Sequence, residues 1–419
     1  MTAVALACAQ AAGCAIPAVD FHCDSYRDCG DGYVCAAGAC RACDPDPVTS
    51  LALGASHTCA AGDGVRCWGA NAVGQVGAGP GDRFVVPTRV ELGASFTGRV
   101  FAGTTASYAA PDHQHALRGW GDNRLGQLGI DPGAAQVASR PLVAPTVSNV
   151  KLAAGGDGHA CALDGALSTV TCWGDGARGE LGRGLPDPGG PPGVIARPPF
   201  EDVLVRLSQA YAVAAGAHHA CAVALDEGDG LWCWGANDHY QLGVSDRSDQ
   251  PFAVMAARVD PYGFVAAGSA HTCVASAAGE VLCWGLNDHG QVSDTGDVDV
   301  QVPHRISVPP GVCGGLTAGR GHTCALLDGA VYCWGDNRAG QLGNPAAGAV
   351  DHVPPVPVMT APATPLVDVR ELRAGGDHTC AVTTQGVLYC WGANDEGQLG
   401  DGTQNARALP ERIGVCRGG

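Results

Sequence analysis

The sequence predicts an all-β protein: a seven-bladed β-propeller with four-stranded blades, preceded by a short disulfide-rich N-terminal segment. Three observations carry that expectation. A Trp-Gly pair recurs at Trp68, Trp120, Trp173, Trp234, Trp284, Trp334 and Trp391, at intervals of 52, 53, 61, 50, 50 and 57 residues. Each interval holds four short apolar stretches separated by turn residues. Finally, 63 Gly and 27 Pro make about a fifth of the 419 residues turn-formers, with no low-complexity run. A period near 50 residues marks a supersecondary unit repeated in an array, and four strands per unit make one blade.

Residues 1–20 are small and apolar but lack a basic start, so they read as the end of a secretory leader. Ala11-Ala12-Gly13-Cys14 resembles a bacterial lipobox, with Ala11 where a large aliphatic residue is expected, which makes Cys14 the lipidation candidate. A plain cleaved leader is the alternative. Residues 21–47 form a Cys-rich segment (Cys23, Cys29, Cys35, Cys40, Cys43) too short for its own apolar core, so disulfides must hold it. Pairing of Cys8, Cys14, Cys23, Cys29, Cys35, Cys40, Cys43, Cys313 and Cys416 stays open. A Cys43–Cys416 link would tie the chain ends, but spacing does not decide connectivity. Asp44-Pro45-Asp46-Pro47 reads as a stiff boundary before the propeller at 48–419.

Within a repeat, an apolar strand ends in Ala-Gly, as in Phe264–Gly268. Next come the His-Thr-Cys strand, a Gly-containing turn and the Cys-Trp strand. A Gly-Gln-Leu-Gly loop follows, and a Pro then precedes the fourth strand, as at Pro87. The glycines of Gly397-Gln398-Leu399-Gly400 are expected at positive φ. The Trp is expected between adjacent blades, because large aromatics dominate core burial.

Six repeats carry one Cys pair each: Cys59 with Cys67, Cys161 with Cys172, Cys221 with Cys233, Cys273 with Cys283, Cys324 with Cys333, and Cys380 with Cys390. Asp328-Gly329 is a strong two-residue hairpin signal, and counting outward from it sets Leu327 against Ala330 and Cys324 against Cys333. The Cys pair then falls on a non-hydrogen-bonded site, where a Cα separation of roughly 4.5 Å suits a disulfide. Cys273 with Cys283, and Cys380 with Cys390, are symmetric about three-residue turns ending in Gly279 and Gly386. Repeat two replaces both members together, with Tyr108 and Gly119. Six cross-strand disulfides and an oxidising compartment are therefore expected. A zinc reading of His57-x-Cys59 with Cys67 lacks the close C-x2-C spacing that such sites use, so no metal is expected.

These residues resemble the regulator of chromosome condensation repeat family, whose blades carry the same Trp-Gly-x-Asn-x-x-Gly-Gln-Leu-Gly signature. The resemblance spans about residues 48–419 and implies a seven-bladed propeller. Departures include Gly176 for Asn and Glu180 for Gln in repeat three, Tyr240 in repeat four, Val76 in repeat one and Gly290-Gln291-Val292-Ser293 in repeat five.

Six repeats place a His two residues before the Cys: His57, His159, His219, His271, His322 and His378. A ring of imidazoles could bind an anion or a metal. Repetition in nearly every blade favours a structural device instead, one intra-blade hydrogen bond copied around the disc. Acidic runs at 226–230 and 294–299 miss the Ca²⁺-loop pattern and read as solvated turns. No P-loop, Gly-x-Ser-x-Gly, His-Glu-x-x-His or dinucleotide fingerprint is present, so catalysis and cofactors are not expected.

The formal charge is −17 with Lys151 as the only lysine, which argues against nucleic acid and anionic membrane partners. No stretch is long and apolar enough to span a bilayer. Pro-rich insertions at 183–199 and 344–365, and the divergent second repeat with Tyr108 and His113-Gln114-His115, are candidate partner-binding features, with ordinary loop drift as the alternative reading. The expected function is a non-enzymatic, monomeric, secreted or cell-surface scaffold that binds a protein through loop faces. The family resemblance implies an alternative, guanine-nucleotide exchange on a small GTPase, which would need a reducing compartment. Carbohydrate binding would want exposed aromatics, and only Trp232 lies outside the Trp-Gly set.

Overall fold

The computed structural model describes residues 46–415 except 93–95, 113–115, 185–203, 206, 208, 226–229, 259–261, 294–295 and 297, together with two short strands, Tyr33–Ala36 and Ala39–Ala42, that pair antiparallel. Seven four-stranded antiparallel sheets follow one another along the chain. Blade 1 is Ser50–Leu53, His57–Gly62, Gly64–Ala70 and Arg83–Val90. Blades 2 to 7 repeat this order from Gly98, Val150, Ala210, Tyr262, Cys313 and Val369. The seven first strands touch in ring order and line a central channel of about 930 Å³. The chain is a seven-bladed β-propeller. Among the described residues the only helical element is a single 3₁₀ turn, Pro345–Ala347.

Hairpin chemistry sets the register within each blade. Asp328 and Gly329 both have positive φ (49° and 78°), as a two-residue hairpin turn requires. Leu327 then faces Ala330, and Cys324 faces Cys333, as the sequence predicts. Gly397 and Gly400 have φ of 76° and 77°, again as expected.

The glycine after each Trp has φ between 99° and 108°. A Cβ there would sit 2.3–2.6 Å from a main-chain oxygen of the preceding loop, which explains why Trp-Gly recurs unbroken.

One boundary differs from expectation. Proline does not precede the outer strand but sits inside it, at Pro87, Pro141, Pro251, Pro303 and Pro410. The outer strand has a free edge, so a residue without an N–H is tolerated there. For the same reason the Pro-rich stretch 344–365 is not simply a loop. Val353–Pro357 forms the outer strand of blade 6, with Val356 opposite Cys333, and Met359–Ala361 pairs with Thr364–Pro365.

The ring closes without exchanging strands. The segment before blade 1 bonds instead to blade 7: Asp46 N–H donates to Val415 O (2.9 Å) and Val48 N–H to Gly386 O (3.2 Å). Leu51 N–H donates to Glu371 Oε1 (3.2 Å), and Arg370 reaches Val48 O. Asp46 also pairs with Arg66 at 3.0 Å, both side chains almost fully buried.

Antiparallel order gives the disc two unlike faces. One, here called the latch face, carries the loops between first and second strands and the Gly-Gln-Leu-Gly loops between third and fourth. The other carries the hairpins between second and third strands and is called the hairpin face.

Candidate functional site

Residues that recur in every blade meet at the seams between blades. The indole Nε1–H of each Trp donates to the main-chain oxygen of the Gln (Glu180 in blade 3) of the preceding blade. The seven distances are 2.8–3.1 Å, and every Trp is at most 1% exposed. At five seams the same oxygen takes a second bond from a Ser or Thr of the next blade. There the hydroxyl of Ser107, Thr272, Thr323, Thr379 or Thr58 donates to the carbonyl of Gln75, Gln241, Gln291, Gln341 or Gln398.

That hydroxyl has a single proton, so its oxygen accepts from the third member of the cluster. His57, His219, His271, His322 and His378 each place Nε2 2.8–3.0 Å from the hydroxyl of the next blade. The tautomer is thereby fixed: Nε2 carries the hydrogen and Nδ1 is bare. Each Nδ1 is buried without a hydrogen-bond partner. Burial pushes these imidazoles down, to about 4 for His57 and His322 and about 3 for His219, His271 and His378.

The expectation of an intra-blade bond is thus corrected. The histidines bond between blades, because the second strand's polar end faces the neighbouring sheet rather than its own hairpin. Each ring also lies over the Ala-Gly glycine of its own blade, where a Cβ would fall 2.0–2.4 Å from Cε1.

Two seams depart from this latch. At the seam between blades 2 and 3 the His position holds Ala106 and the hydroxyl position Ala160. Tyr108 compensates: its hydroxyl donates to Gln127 O at 2.6 Å, and its ring packs edge-on against Trp173 with centroids 6.4 Å apart. Gly119, directly across the hairpin, faces it in the register that the missing Cys pair would occupy.

At the seam between blades 3 and 4 nothing compensates. His159 is present, but the next blade offers Ala220, and His159 Nε2 is buried without a partner. In the same blade Glu180 replaces the Gln. Its Oε2 accepts from Arg178 N–H (2.8 Å), as Gln75 Oε1 accepts from Val73 N–H in blade 1. Its Oε1 stands where the other blades have an amide NH2 and has no hydrogen-bond partner. His218 lies at the mouth of the seam, Nδ1 3.6 Å from Glu180 Oε1 and Nε2 3.7 Å from Asp157. Glu180 beside it raises the His218 imidazole. Burial works to raise the Glu180 carboxyl, but His218 and main-chain donors override it and hold it below the usual range.

The structure brings together all six cysteine pairs that the repeats suggest. Each pair spans the second and third strands of one blade, directly opposite in register. Cys59 faces Cys67 in blade 1, Cys161 faces Cys172 in blade 3, and Cys221 faces Cys233 in blade 4. Cys273 faces Cys283 in blade 5, Cys324 faces Cys333 in blade 6, and Cys380 faces Cys390 in blade 7. All twelve side chains are fully buried. In every pair the sulfurs are at bonding distance and the Cα atoms 4.0–4.1 Å apart, a little closer than the general non-hydrogen-bonded spacing suggests.

Cys313 is a buried thiol pushed up by its burial. Cys35 and Cys40 face each other in the register of the short N-terminal hairpin. Cys8, Cys14, Cys23, Cys29, Cys43 and Cys416 lie outside the described residues, as do His113, Gln114, His115 and most of the 183–199 insertion. Among the described residues, no group of three or more His, Cys, Asp or Glu is placed to hold a metal ion, and no helix is long and apolar enough to cross a membrane. Five imidazoles of the His ring are buried and bonded across seams, Nε2 to a hydroxyl of the next blade. The channel itself is lined mostly by small residues, with Arg373 paired to Glu371 at 3.0 Å.

The class is a seven-bladed propeller whose repeat signature is spent on blade-to-blade contacts. A family profile described as the regulator of chromosome condensation (RCC1) repeat matches residues 229–275, 278–326, 328–382 and 385–418, and a second profile of that description matches 211–241, 264–291 and 369–398. The chain carries RCC1 repeats. It is 32% identical over 384 residues to the human E3 ubiquitin-protein ligase HERC2, covering 89% of this chain and 7% of HERC2. It is 32% identical over 206 residues to the Arabidopsis thaliana ultraviolet-B receptor UVR8, covering 48% of this chain and 45% of UVR8. The chain thus spans under half the length of these relatives. Its fold is similar to human WBSCR16 (TM-score 0.70, 22% identity, 84% of this chain and 94% of that one) and to Prp20p from Saccharomyces cerevisiae (0.68, 20%, 88% and 88%).

Proposed function

We propose that this propeller is a non-enzymatic scaffold that binds a protein partner through its loop faces, outside the reducing cytosol. One observation carries the reading. The residues that recur in the repeats (Trp, His, Thr, Gln and Cys) are buried in the seams and hairpins, so recognition falls to the parts that vary between blades, the loops foremost. Similarity to Prp20p, whose structural report concerns binding to Gsp1p and histones, supports protein recognition as a use of the fold. The six Cys pairs at bonding distance favour a secreted or cell-surface setting. In that setting the lipobox-like Ala11–Cys14 would make Cys14 a lipid attachment point, and we take the monomer as the working unit.

The alternative is regulation of a small GTPase by nucleotide exchange, favoured by the family resemblance. Thiol counting on denatured protein from its native host, with and without reductant, separates the two settings. Twelve cysteines recovered as six intra-blade bridges support the extracytoplasmic scaffold. Twelve free thiols would move the protein to a reducing compartment. Cross-linking of the intact protein in its native fraction, repeated with loops of each face substituted, then reports the binding face. Absence of any face-dependent cross-link would refute the scaffold reading.

A further inference from the structure

At the 3/4 seam, on the latch face, the His–hydroxyl bond is lost and no side chain of the neighbouring blade replaces it. Two buried polar atoms there lack a hydrogen-bond partner, His159 Nε2 and Glu180 Oε1, each on a side chain about 1% exposed, and His218 Nδ1 stands 3.6 Å from that carboxylate oxygen. Both losses have identifiable causes. Ala220 removes the hydroxyl that other histidines use, and a carboxylate stands where other blades have an amide donor. An amide NH2 can give its protons to a neighbour, as Gln241 does to Asp238 (3.2 Å) and Gln291 to Asp288 (2.9 Å). A carboxylate oxygen can only accept, so this position calls for a donor, and a cationic one also balances the charge.

The rim supplies more negative charge. Asp157 and Asp175 are the other carboxylates that act on His159, and Asp238 and Asp249 stand nearby with Arg178 held between them at 3.3 and 2.8 Å. That guanidinium is already committed to two carboxylates. Among the described residues the other cationic candidate is His218, whose ring is 44% exposed and pairs with Glu180 only loosely, at 3.6 Å, beyond ordinary hydrogen-bond length. No set of three donors surrounds the seam, so a metal ion does not fit among the described residues.

We infer that the 3/4 seam of the latch face is an anchor for a lysine side chain of a basic polypeptide partner, with Glu180 as the carboxylate that receives the ammonium. This rests on the scaffold reading and names the partner's chemistry. An ammonium is compact and carries three donors on a flexible stem, which suits a seam holding one carboxylate oxygen without a hydrogen bond and one imidazole nitrogen better than a planar guanidinium does. His218 swings aside as the lysine enters, and the acidic rim steers the approach.

The test uses the full chain and a fluorescent twelve-residue peptide of alternating Lys and Ser, with a Gly-Ser peptide as control, read by anisotropy. Glu180→Gln restores the residue that the other blades carry, so it should fold, and its thermal midpoint checks this. Binding is expected to weaken about tenfold in Glu180→Gln. It should be unchanged in Asp63→Asn on the hairpin face, and unchanged or tighter in His218→Ala. Equal binding by wild type and Glu180→Gln would overturn the inference, as would an equal loss in Asp63→Asn or a loss in His218→Ala. If the Lys peptide does not bind while face-dependent cross-linking persists, the lysine anchor fails and the scaffold reading stands. If both vanish, both fail.

Discussion

Thr272→Val removes one hydroxyl and tests whether the seam latch carries stability. In the native seam Thr272 accepts from His219 Nε2–H at 2.9 Å and donates to Gln241 O at 2.7 Å, all three residues being at most 2% exposed. Valine keeps the shape and deletes both bonds. Gln241 O retains Trp284 Nε1–H at 3.1 Å, so the carbonyl stays satisfied. His219 Nε2–H does not, and its Nδ1 is already without a partner. Losing a buried bond and orphaning a buried donor costs about 2 to 3 kcal/mol. With an unfolding entropy of about 2.1 cal/mol/K per residue over about 370 residues, that is roughly a 3 °C fall in the melting midpoint. Calorimetry under non-reducing conditions measures it, with urea titration as a second reading. Ala220→Thr is the mirror experiment: it supplies the hydroxyl that His159 lacks and should raise stability by about 1 kcal/mol. If Thr272→Val were neutral within about 0.5 kcal/mol, the histidine would be packing alone and the latch would not be a hydrogen-bonded device.

The same latch makes the fold acid-sensitive. The five imidazoles have folded-state values depressed from 6.5 to about 3 or 4, so their stability is present above pH 6.5 and lost as pH falls toward those values. Each costs about 1.4 kcal/mol per pH unit in that window, and five together cost about 7, comparable with a whole domain's stability. Tryptophan fluorescence should therefore report unfolding between pH 6 and 4, and a native spectrum kept at pH 4 would contradict this. Asp46→Ala strands the buried Arg66 guanidinium at the ring closure and removes an acceptor from Asp63 N–H, so a loss of about 3 to 5 kcal/mol is expected in urea titration. Tyr108→Phe deletes the second donor to Gln127 O, and since Trp173 still serves that carbonyl, the expected cost is only about 1 kcal/mol by the same titration.

How far the sequence discloses this molecule depends on the range of each contact. The Cys324–Cys333 register was legible because a two-residue turn fixes every pair above it. Cys273 with Cys283, and Cys380 with Cys390, were legible the same way, from turns ending in Gly279 and Gly386. The longer hairpins joining Cys161 to Cys172 and Cys221 to Cys233 carry Asp164-Gly165 and Asp229-Gly230 off centre, so counting from them does not set the Cys residues opposite, and only their place in the repeat pointed to the pairing. The blade count was legible from Trp-Gly, since no other residue pair satisfies that φ and that seam. The partner of each histidine was not legible: it lies about fifty residues away in the next blade, and nothing local distinguishes an intra-blade from an inter-blade bond. Thr58, Thr272, Thr323 and Thr379 stood in the His-Thr-Cys pattern all along, yet only blade packing gives them a role. The outer-strand prolines misled in the other direction, because a free sheet edge relaxes the rule that proline bounds a strand. Glu180 and His218 carried one usable signal. A Gln-to-Glu change and a Thr-to-Ala change in neighbouring repeats fall on opposite sides of a single seam.

A repeat protein supplies its own controls, and here they separate drift from purpose. Seams 2/3 and 3/4 both lose the His–hydroxyl pair, so loss alone signals nothing. At seam 2/3 the buried groups are re-satisfied from within, Tyr108 closing on Gln127. That is what selection for folding alone produces, since a buried orphan costs more than a substitution that fills it. The regular latches also leave a bare His Nδ1, and blade 6 a bare Gln341 Nε2, but at seam 3/4 the unpaired atoms are His159 Nε2 and a carboxylate oxygen of Glu180, although restoring Gln at 180 or Thr at 220 would need one substitution each. Among the described residues it is also where an acceptor replaces a donor and an exposed imidazole stands at the opening. A defect that is cheap to repair and left unrepaired is better explained by something that completes it from outside. The scaffold's specificity is therefore to be sought at blades 3 and 4, not in the signature that the seven blades share.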